Sequence, residues 1–458
     1  MKQKKILGVI SILFFVIATF VLSGCFKDRK DKGAKKISLE VWGVFDDSDA
    51  FHGINKEYKI INPNITQIKY KKLSQNPVEF EKEIIDAFAS GKGPDIVFFN
   101  SAWLPEHSEK IISLPESEKQ LSLFKNSFVD VSYEDFVKDD QIYAMPLYND
   151  TLALYYNKDL LNQSGISSPP KTWSEVRDQT KIITKIDQYG NIERSAIALG
   201  RSKDPGAINR SSDILMLMMM QGGSKMNRGD KNFSAINVSN HGTENPGVNA
   251  LNFYTQFSQA SSEVYTWNTK MDYSIDSFRF GRVAMMINYS YWKDRLNKSD
   301  PKLNFDVAPV PQLDLDNKVN YGVYWGMAVT RNREIPAEAN YTNEERIAAA
   351  WDYIKFVTLP PLAGETFDAT QHYLEKTNKP AARRDLVEEQ KEDVFFEVFA
   401  NQSLTAKTWK QPDDSAVEEI FVEMIDEVTS GKASSLDALD TASSRFDALI
   451  IKDSYLEK

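Results

Sequence analysis

The chain has 458 residues, a formal net charge of −10 at pH 7, four histidines and a single cysteine. One cysteine excludes an internal disulfide framework and a cysteine-based zinc site, and the histidines fall at no metal-ligand spacing. The acidic balance argues against nucleic acid as a partner, and the length exceeds what one hydrophobic core supports, so we expect two lobes.

Residues 1–24 have the composition of an export signal. Lysines are followed by an uncharged apolar run and then by small residues, which is the order found in such signals. A single transmembrane anchor is the alternative, because the run approaches the roughly 20 apolar residues that a span needs. The boundary Leu22-Ser23-Gly24-Cys25 resembles the bacterial lipobox, which implies cleavage before Cys25 and a diacylglycerol on its thiol. This favours a lipoprotein on the extracytoplasmic face of the cell membrane.

Residues 25–36 are predicted to be a charged tether. Most of them are ionised and the basic ones are in excess, so the segment has too little apolar surface to bury itself. Its basic residues could instead rest on anionic lipid head groups. The tether is the simpler interpretation.

The predicted elements of the mature chain alternate between strands and helices. Residues 37–42 and 65–70 have the pattern of strands, and Pro77 marks the start of an amphipathic helix. Residues 95–99 form a continuous apolar run, typical of a central parallel strand. This order predicts an α/β lobe with a parallel sheet. Later apolar runs predict that the second half is also α/β: 283–287 and 327–330.

Several segments resemble, in the same order along the chain, family 1 extracellular solute-binding proteins, the sugar-binding subunits of ABC importers. They cover most of the mature chain, and only residues 193–250 lack the resemblance. The segments are 141–160, 170–175 (PKTWSE), 278–288 (FRFGRVAMMIN), 305–311 (FDVAPVP), 322–329, 348–359 and 430–442.

The resemblance implies a fold of the maltose-binding-protein-like, type II periplasmic-binding-protein kind. This is an α/β fold with two lobes, each a mostly parallel sheet flanked by helices, and a ligand cleft between the lobes. Hinged lobes close because each contributes contacts that exist together only in the closed state. The expected boundaries are 37–148 with 308–358 for lobe 1, and 149–307 with 359–458 for lobe 2.

A sugar site needs flat aromatic platforms with polar groups at their edges, and in open α/β sheets such groups lie beyond the strand ends. The resemblance places a ligand-facing aromatic at Tyr291 or Trp292, and puts Tyr324 and Trp325 where the family often has small residues. Each aromatic could instead be a packing residue, and each aspartate could cap a helix or turn. The candidates are Asp46, Asp47, Asn100, Trp103, Tyr148, Asp150, Tyr291, Trp292, Tyr324, Trp325 and Trp409.

Together these features predict a monomeric binding protein that captures a sugar or oligosaccharide and delivers it to the permease subunits of an ABC transporter, without cofactor or metal. One alternative is a tethered surface receptor for a non-sugar solute, such as a quaternary amine held by cation–π contacts. The other is a secreted glycan-active enzyme. No G-x-S-x-G, P-loop or H-E-x-x-H motif occurs, and a glycosidase carboxylate pair has no recognisable spacing in sequence. We therefore expect no enzymatic activity.

Overall fold

The structure is a computed structural model, and it describes residues 35–114, 118–226, 245–331 and 333–456. The predicted export signal, Cys25 and the predicted tether up to residue 34 lie outside the described residues. Within those ranges, no helix is both long enough and apolar enough to cross a membrane.

Strands and helices alternate through most of the described chain. The strands are β1 Ile37–Gly43, β2 Ile65–Lys72, β3 Ile96–Asn100, β4 Ile111–Ile112, β5 Val137–Lys138, β6 Gln141–Ile142, β7 Met145–Pro146, β8 Ala153–Asn157, β9 Lys185–Ile186, β10 Ile192–Ile197, β11 Val283–Asn288, β12 Phe305–Pro309, β13 Asn320–Tyr321, β14 Trp325–Thr330 and β15 Ala406–Lys407. The helices are α1 Asp49–Ile61, α2 Pro77–Ala89, α3 Leu104–His107, α4 Glu118–Ser127, α5 Asp130–Phe136, α6 Lys158–Gln163, α7 Trp173–Ile183, α8 Ser211–Gln221, α9 Pro246–Thr255, α10 Ser274–Arg279, α11 Tyr291–Ser299, α12 Asn343–Thr358, α13 Ala369–Thr377, α14 Arg384–Gln390, α15 Glu397–Ser403, α16 Asp414–Thr429 and α17 Ser435–Leu456.

The first sheet has the order β2-β1-β3-β14-β4, with β7 paired to β14. β1 is parallel to both β2 and β3, as the strand–helix–strand pattern of the sequence predicted. β14 enters from later in the chain and runs antiparallel to β3. The five residues of β3 are all buried, because helices cover both faces of a central strand.

The second sheet has the order β12-β8-β11-β10-β9. β10 and β11 are parallel, whereas β8 is antiparallel to both β11 and β12. The two-lobed α/β fold is therefore confirmed, but the sheets are mixed rather than mostly parallel. The reason is that β8 and β14 each follow a passage between the lobes, and such a strand joins its sheet in the opposite direction.

Each sheet has its own hydrophobic core, and the two cores show which segments belong together. The first core includes residues before Tyr148, the strand β14 and the helix α12. It also includes residues between Ala369 and Val387, on and between α13 and α14, together with Ala400 and Ala406; the expected boundaries assigned all of these to lobe 2. Tyr373 on α13 packs its ring 5.4 Å from that of Phe51. Residues 369–387 thus pack with the first lobe, and the later helices α16 and α17 pack with the second.

Candidate ligand-binding cleft

Two adjoining cavities lie between the lobes and form one cleft. Their volumes are about 220 and 260 Å³. Residues from both lobes line both cavities, so the cleft is continuous across the lobe boundary. The residues common to both are Phe45, Pro77, Arg210, Val323 and Trp325.

The side of the cleft that belongs to the first lobe is a cluster of rings, here called the indole wall (Phe45, Trp103 and Trp325). Trp325 begins β14 directly opposite Asn100 at the end of β3. The Asn100 side chain accepts a hydrogen bond from the Ala102 amide at 2.9 Å, which turns the chain and brings Trp103 to the same sheet edge. The ring centres of Trp103 and Trp325 are 4.9 Å apart, and those of Phe45 and Trp325 are 5.8 Å apart.

The indole wall is packed from behind as well. Phe80 on α2 lies 5.8 Å from Trp325 and 6.2 Å from Trp103 between ring centres. Only 2% of Trp103 and 3% of Trp325 are exposed, so the two indoles present little free area. The wall is therefore a fixed apolar surface and not a pair of projecting platforms. The start of α2 borders it, where the Asn76 side chain caps the helix by accepting from the Val78 amide.

The opposite side belongs to the second lobe and is here called the tyrosine–arginine wall (Arg210, Tyr289, Tyr291 and Arg295). Tyr289 and Tyr291 follow β11 at the start of α11, with ring centres 6.3 Å apart. Arg210 precedes α8 with a positive φ of 62°, a conformation that is uncommon outside glycine. Its guanidinium lies 5.4 Å from the Tyr289 ring centre, and Arg295 lies 5.0 Å from that of Tyr291.

Asp150 joins the two sides where the chain first passes between the lobes. Its carboxylate accepts hydrogen bonds from the Ser290 amide at 3.1 Å and from the Ser290 hydroxyl at 2.8 Å. Burial raises the pKa of Asp150 to about 7, against the lowering effect of these hydrogen bonds. Asp150 thus ties the first passage of the chain to the tyrosine–arginine wall.

A second polar group stands beside it, built around Lys379. The Lys379 ammonium donates to Asp46 Oδ1 at 2.6 Å and to the Tyr373 hydroxyl at 2.8 Å, and lies 4.4 Å from the Tyr148 ring centre. The Tyr373 hydroxyl in turn donates to Asp46 at 2.7 Å. Burial lowers the pKa of Lys379, and the Asp46 carboxylate opposes that shift. Lys379 and Tyr148 line the cleft, while Asp46 supports the lysine from behind.

The far end of the cleft is acidic. Glu81 from α2 and Asp414 and Glu418 from α16 line it, together with Trp409. Burial raises the pKa of Asp414 to about 7, and the neighbouring carboxylates of Glu81, Asp413 and Glu106 add to the shift. This end therefore differs in charge from the end that holds Arg295.

The structure brings seven of the predicted site residues to the cleft and leaves four away from it. Those that line the cleft are Asn100, Trp103, Tyr148, Asp150, Tyr291, Trp325 and Trp409. Asp46 lies behind the lining, as described above. The remaining three, Asp47, Trp292 and Tyr324, are corrections to the predicted set, because each is engaged elsewhere.

Asp47, Trp292 and Tyr324 have separate reasons for missing the cleft. The carboxylate of Asp47 is 78% exposed and pairs with Lys72 at 2.9 Å. Trp292 packs partly buried against the second core. Tyr324 is fully buried and donates its hydroxyl to Asp135 at 2.6 Å, because adjacent residues of an extended chain point to opposite sides. Tyr324 therefore faces away when Trp325 faces the cleft.

Sequence reasoning missed most of the charged lining. Arg210 and Asp213 come from the segment that resembles no family pattern, and Lys379 comes from a segment assigned to the wrong lobe. The Asn288 amide donates to Asn209 at 2.8 Å, which fixes the chain just before Arg210. One signal was available for Arg295, since it lies one helical turn after Tyr291 on α11 and so shares its face.

Comparison with known proteins shows which family has this sequence pattern. The family model described as bacterial extracellular solute-binding protein matches residues 44–363. The maltodextrin-binding protein MdxE of Bacillus subtilis (strain 168) is 24% identical over 472 residues, covering 99% of this chain and 98% of the relative. A binding protein of Brucella abortus is 23% identical over 293 residues, and the match spans 63% of this chain and 66% of that protein's length.

Among solved structures, the sugar-binding protein MalE from Xanthomonas citri has a TM-score of 0.70 at 17% identity, covering 92% of this chain and 99% of that one. This likeness concerns the fold. The family match spans most of the chain and includes strands of both sheets, whereas the cleft residues Lys379, Trp409, Asp414 and Glu418 lie beyond it. The chain belongs to the family of bacterial extracellular solute-binding proteins.

Proposed function

We propose that the protein is a lipid-anchored, extracytoplasmic solute-binding protein. It captures a sugar or oligosaccharide by closure of its lobes and delivers it to the permease subunits of an ABC transporter. The observation that carries the proposal is the cleft itself, which sets an apolar ring cluster from one lobe opposite hydroxyl, guanidinium and carboxyl groups from the other. Sugars present apolar C–H faces and a ring of hydroxyls, and these two surfaces complement both.

Relatives support the sugar as ligand class, because one is named for maltodextrin binding and a structural neighbour for sugar binding. We expect the lobes to close on the solute because each lobe supplies part of its contacts. A solute that touches both walls binds the closed form better than the open form and shifts the population towards it. The closed form would then offer the permease a surface that the open form lacks.

The binding step is tested by a thermal-shift screen of sugars, oligosaccharides, polyols and amines, followed by calorimetry on each hit. A binder at a hundredfold excess over its Kd should add about 2.7 kcal/mol to the free energy of unfolding. Stabilisation by saccharides supports the proposal. Stabilisation by quaternary amines alone would favour the surface-receptor alternative.

We further propose that the bound solute leaves unchanged, because the cleft serves capture and not conversion. Prolonged incubation with a confirmed ligand, followed by mass spectrometry, should return that ligand intact. Turnover that persists in homogeneous protein would assign the chain to an enzyme class.

The anchor is tested separately through the thiol of Cys25. Replacing it, as in Cys25→Ser, should abolish acylation and cleavage at that boundary and leave solute binding intact. Acylation that persists in the variant would contradict the lipoprotein assignment, without bearing on the cleft.

A further inference from the structure

The exposed cation of the cleft is Arg295. Its guanidinium lies 5.0 Å from the ring centre of Tyr291 and 5.4 Å from that of Trp292. These ring contacts hold the side chain in place. Within the described part of the chain, Arg295 forms no hydrogen bond and no ion pair, although it lines the cavity that contains Asp150 and Lys379.

Arg210 contacts the same tyrosine through its hydroxyl group. It donates to the Tyr291 hydroxyl at 3.4 Å, so both guanidinium groups contact Tyr291. The Nε atom of Arg210 is buried and has no partner among the described residues. Each guanidinium therefore retains donors without a partner among the described residues, and both side chains line the same cavity as Tyr291.

The other charges around this end are largely matched to one another. Lys379 is paired with Asp46 at 2.6 Å, and Arg210 has Asp213 at 3.8 Å. Asp150, the carboxyl group nearest to the tyrosines, is occupied by the amide and hydroxyl of Ser290. The charge of Arg295 thus has no carboxylate counterpart in the described structure.

The opposite end of the cleft disfavours an anion, because carboxyl groups line it. These are Glu81, Asp414 and Glu418, and each of them repels a negatively charged group when it is ionised. A solute with a charge at one end would therefore bind in a single orientation, with its anionic end next to Tyr291.

We infer that the solute is an acidic saccharide whose anionic group, a carboxylate as in a uronic acid or a phosphate ester, binds between Arg295 and Arg210. Guanidinium groups recognise carboxylate and phosphate oxygens through paired N–H donors. The inference rests on the proposed function, since it specifies the class of saccharide that the same cleft accepts.

The test uses matched pairs of saccharides in calorimetry. Uronic-acid disaccharides of several stereochemistries are compared with their carboxyl-reduced counterparts, and hexose phosphates with the free hexoses. The inference expects that the tightest binder is an acidic member and that its neutral counterpart binds at least tenfold more weakly. Its Kd should rise with ionic strength, because salt screens the contact.

The variant Arg295→Gln should weaken the acidic ligand by about ten- to a hundredfold, the range expected for losing a charged hydrogen bond. It should weaken the neutral counterpart by a much smaller factor, so that the ratio of the two affinities falls towards one. The matched control is Lys298→Gln, which removes the same charge from the same helix at a side chain that is 74% exposed and paired with Asp294. The control should bind both members as the wild type does.

Two outcomes separate the inference from the proposed function. If neutral saccharides bind best and Arg295→Gln binds them with unchanged affinity, the inference is wrong and the proposed function stands. If no saccharide of either kind binds, the proposed function fails as well. Acidic binding that Arg295→Gln does not weaken would also overturn the inference, since the anionic group would then lie elsewhere.

Discussion

The two walls of the cleft differ in how their side chains are packed and in how exposed they are. In the indole wall, rings pack against rings, and Trp103 and Trp325 are 2% and 3% exposed. In the tyrosine–arginine wall, cations rest on rings, and Arg295 is an exposed side chain. The first wall is therefore part of the core of its lobe, whereas the second wall joins one core residue, Tyr289, to polar side chains that line the cleft.

This difference indicates that the two walls contribute differently to affinity and to selectivity. A ring cluster that is already packed loses little conformational freedom when a ligand arrives, which favours affinity. Charged groups with unused donors discriminate between ligands, because a wrong partner leaves them unpaired and desolvated. We therefore expect changes in the indole wall to affect stability and affinity together, and changes in the opposite wall to affect selectivity.

The largest effect is expected for Trp325→Ala. Removing a large buried aromatic costs about 3–5 kcal/mol, since the rings around it close the cavity only in part. Urea unfolding monitored by far-ultraviolet circular dichroism measures this loss, and calorimetry measures ligand affinity on the folded variant. Trp325→Phe is the control and should recover most of the stability. A Trp325→Ala protein as stable as the wild type would show that the indole wall is not part of the core.

An intermediate effect is expected for Asp150→Ala, which cuts the connection between the two walls. The variant leaves the buried Ser290 amide without its acceptor, and such a loss costs about 1–3 kcal/mol. A double-mutant cycle with Ser290→Ala isolates the side-chain contact. The unfolding free energies should be non-additive, because both changes remove the same hydrogen bond. Additive losses would show that Asp150 acts through other groups.

The sequence predicted the parts of this molecule that depend on local pattern. Period-two and continuous apolar runs located β1, β2, β3 and β11, and Pro77 located the start of α2. These strands and the helix start follow from neighbours in the chain, so periodicity and helix-start signals are sufficient to find them. The cleft positions of Trp325 and Tyr291 came from the family resemblance instead.

The charged lining could not be predicted in the same way. Arg210 reaches the cleft through a positive φ and a contact between Asn209 and Asn288, which no local pattern encodes. Lys379 reaches it because α13 packs on the first lobe through Tyr373. Tyr324 and Trp325 show how finely such a prediction would have to discriminate, since they are adjacent in sequence and yet one is a core residue and the other lines the cleft.

A smaller effect is expected for Asp414→Asn at the acidic end. The pKa of Asp414 is raised from 3.8 to about 7, so the folded state holds a proton that the unfolded state has lost between those values. The free energy of unfolding therefore falls as the pH rises from about 4 to about 7. Asn carries no charge, so the variant should be more stable than the wild type by on the order of 1 kcal/mol at pH 8 and similar to it at pH 4. Thermal unfolding from pH 4 to pH 8 measures this, and an unchanged slope would contradict it.

The smallest effect is expected at Asp47, which the sequence grouped with Asp46. Asp47 forms an exposed pair with Lys72, and such pairs contribute about 0–1 kcal/mol. Asp47→Asn should therefore leave both stability and ligand affinity nearly unchanged. The matched comparison is Asp46→Asn, which weakens the contact to Lys379. The Lys379 side chain is 13% exposed, and its ammonium lies beside the Tyr148 ring. Because that leaves a buried cation incompletely paired, Asp46→Asn should destabilise the protein by more than Asp47→Asn. Equal effects of the two variants would mean that the lysine is not held by Asp46 and that this corner of the cleft is more open than the structure shows.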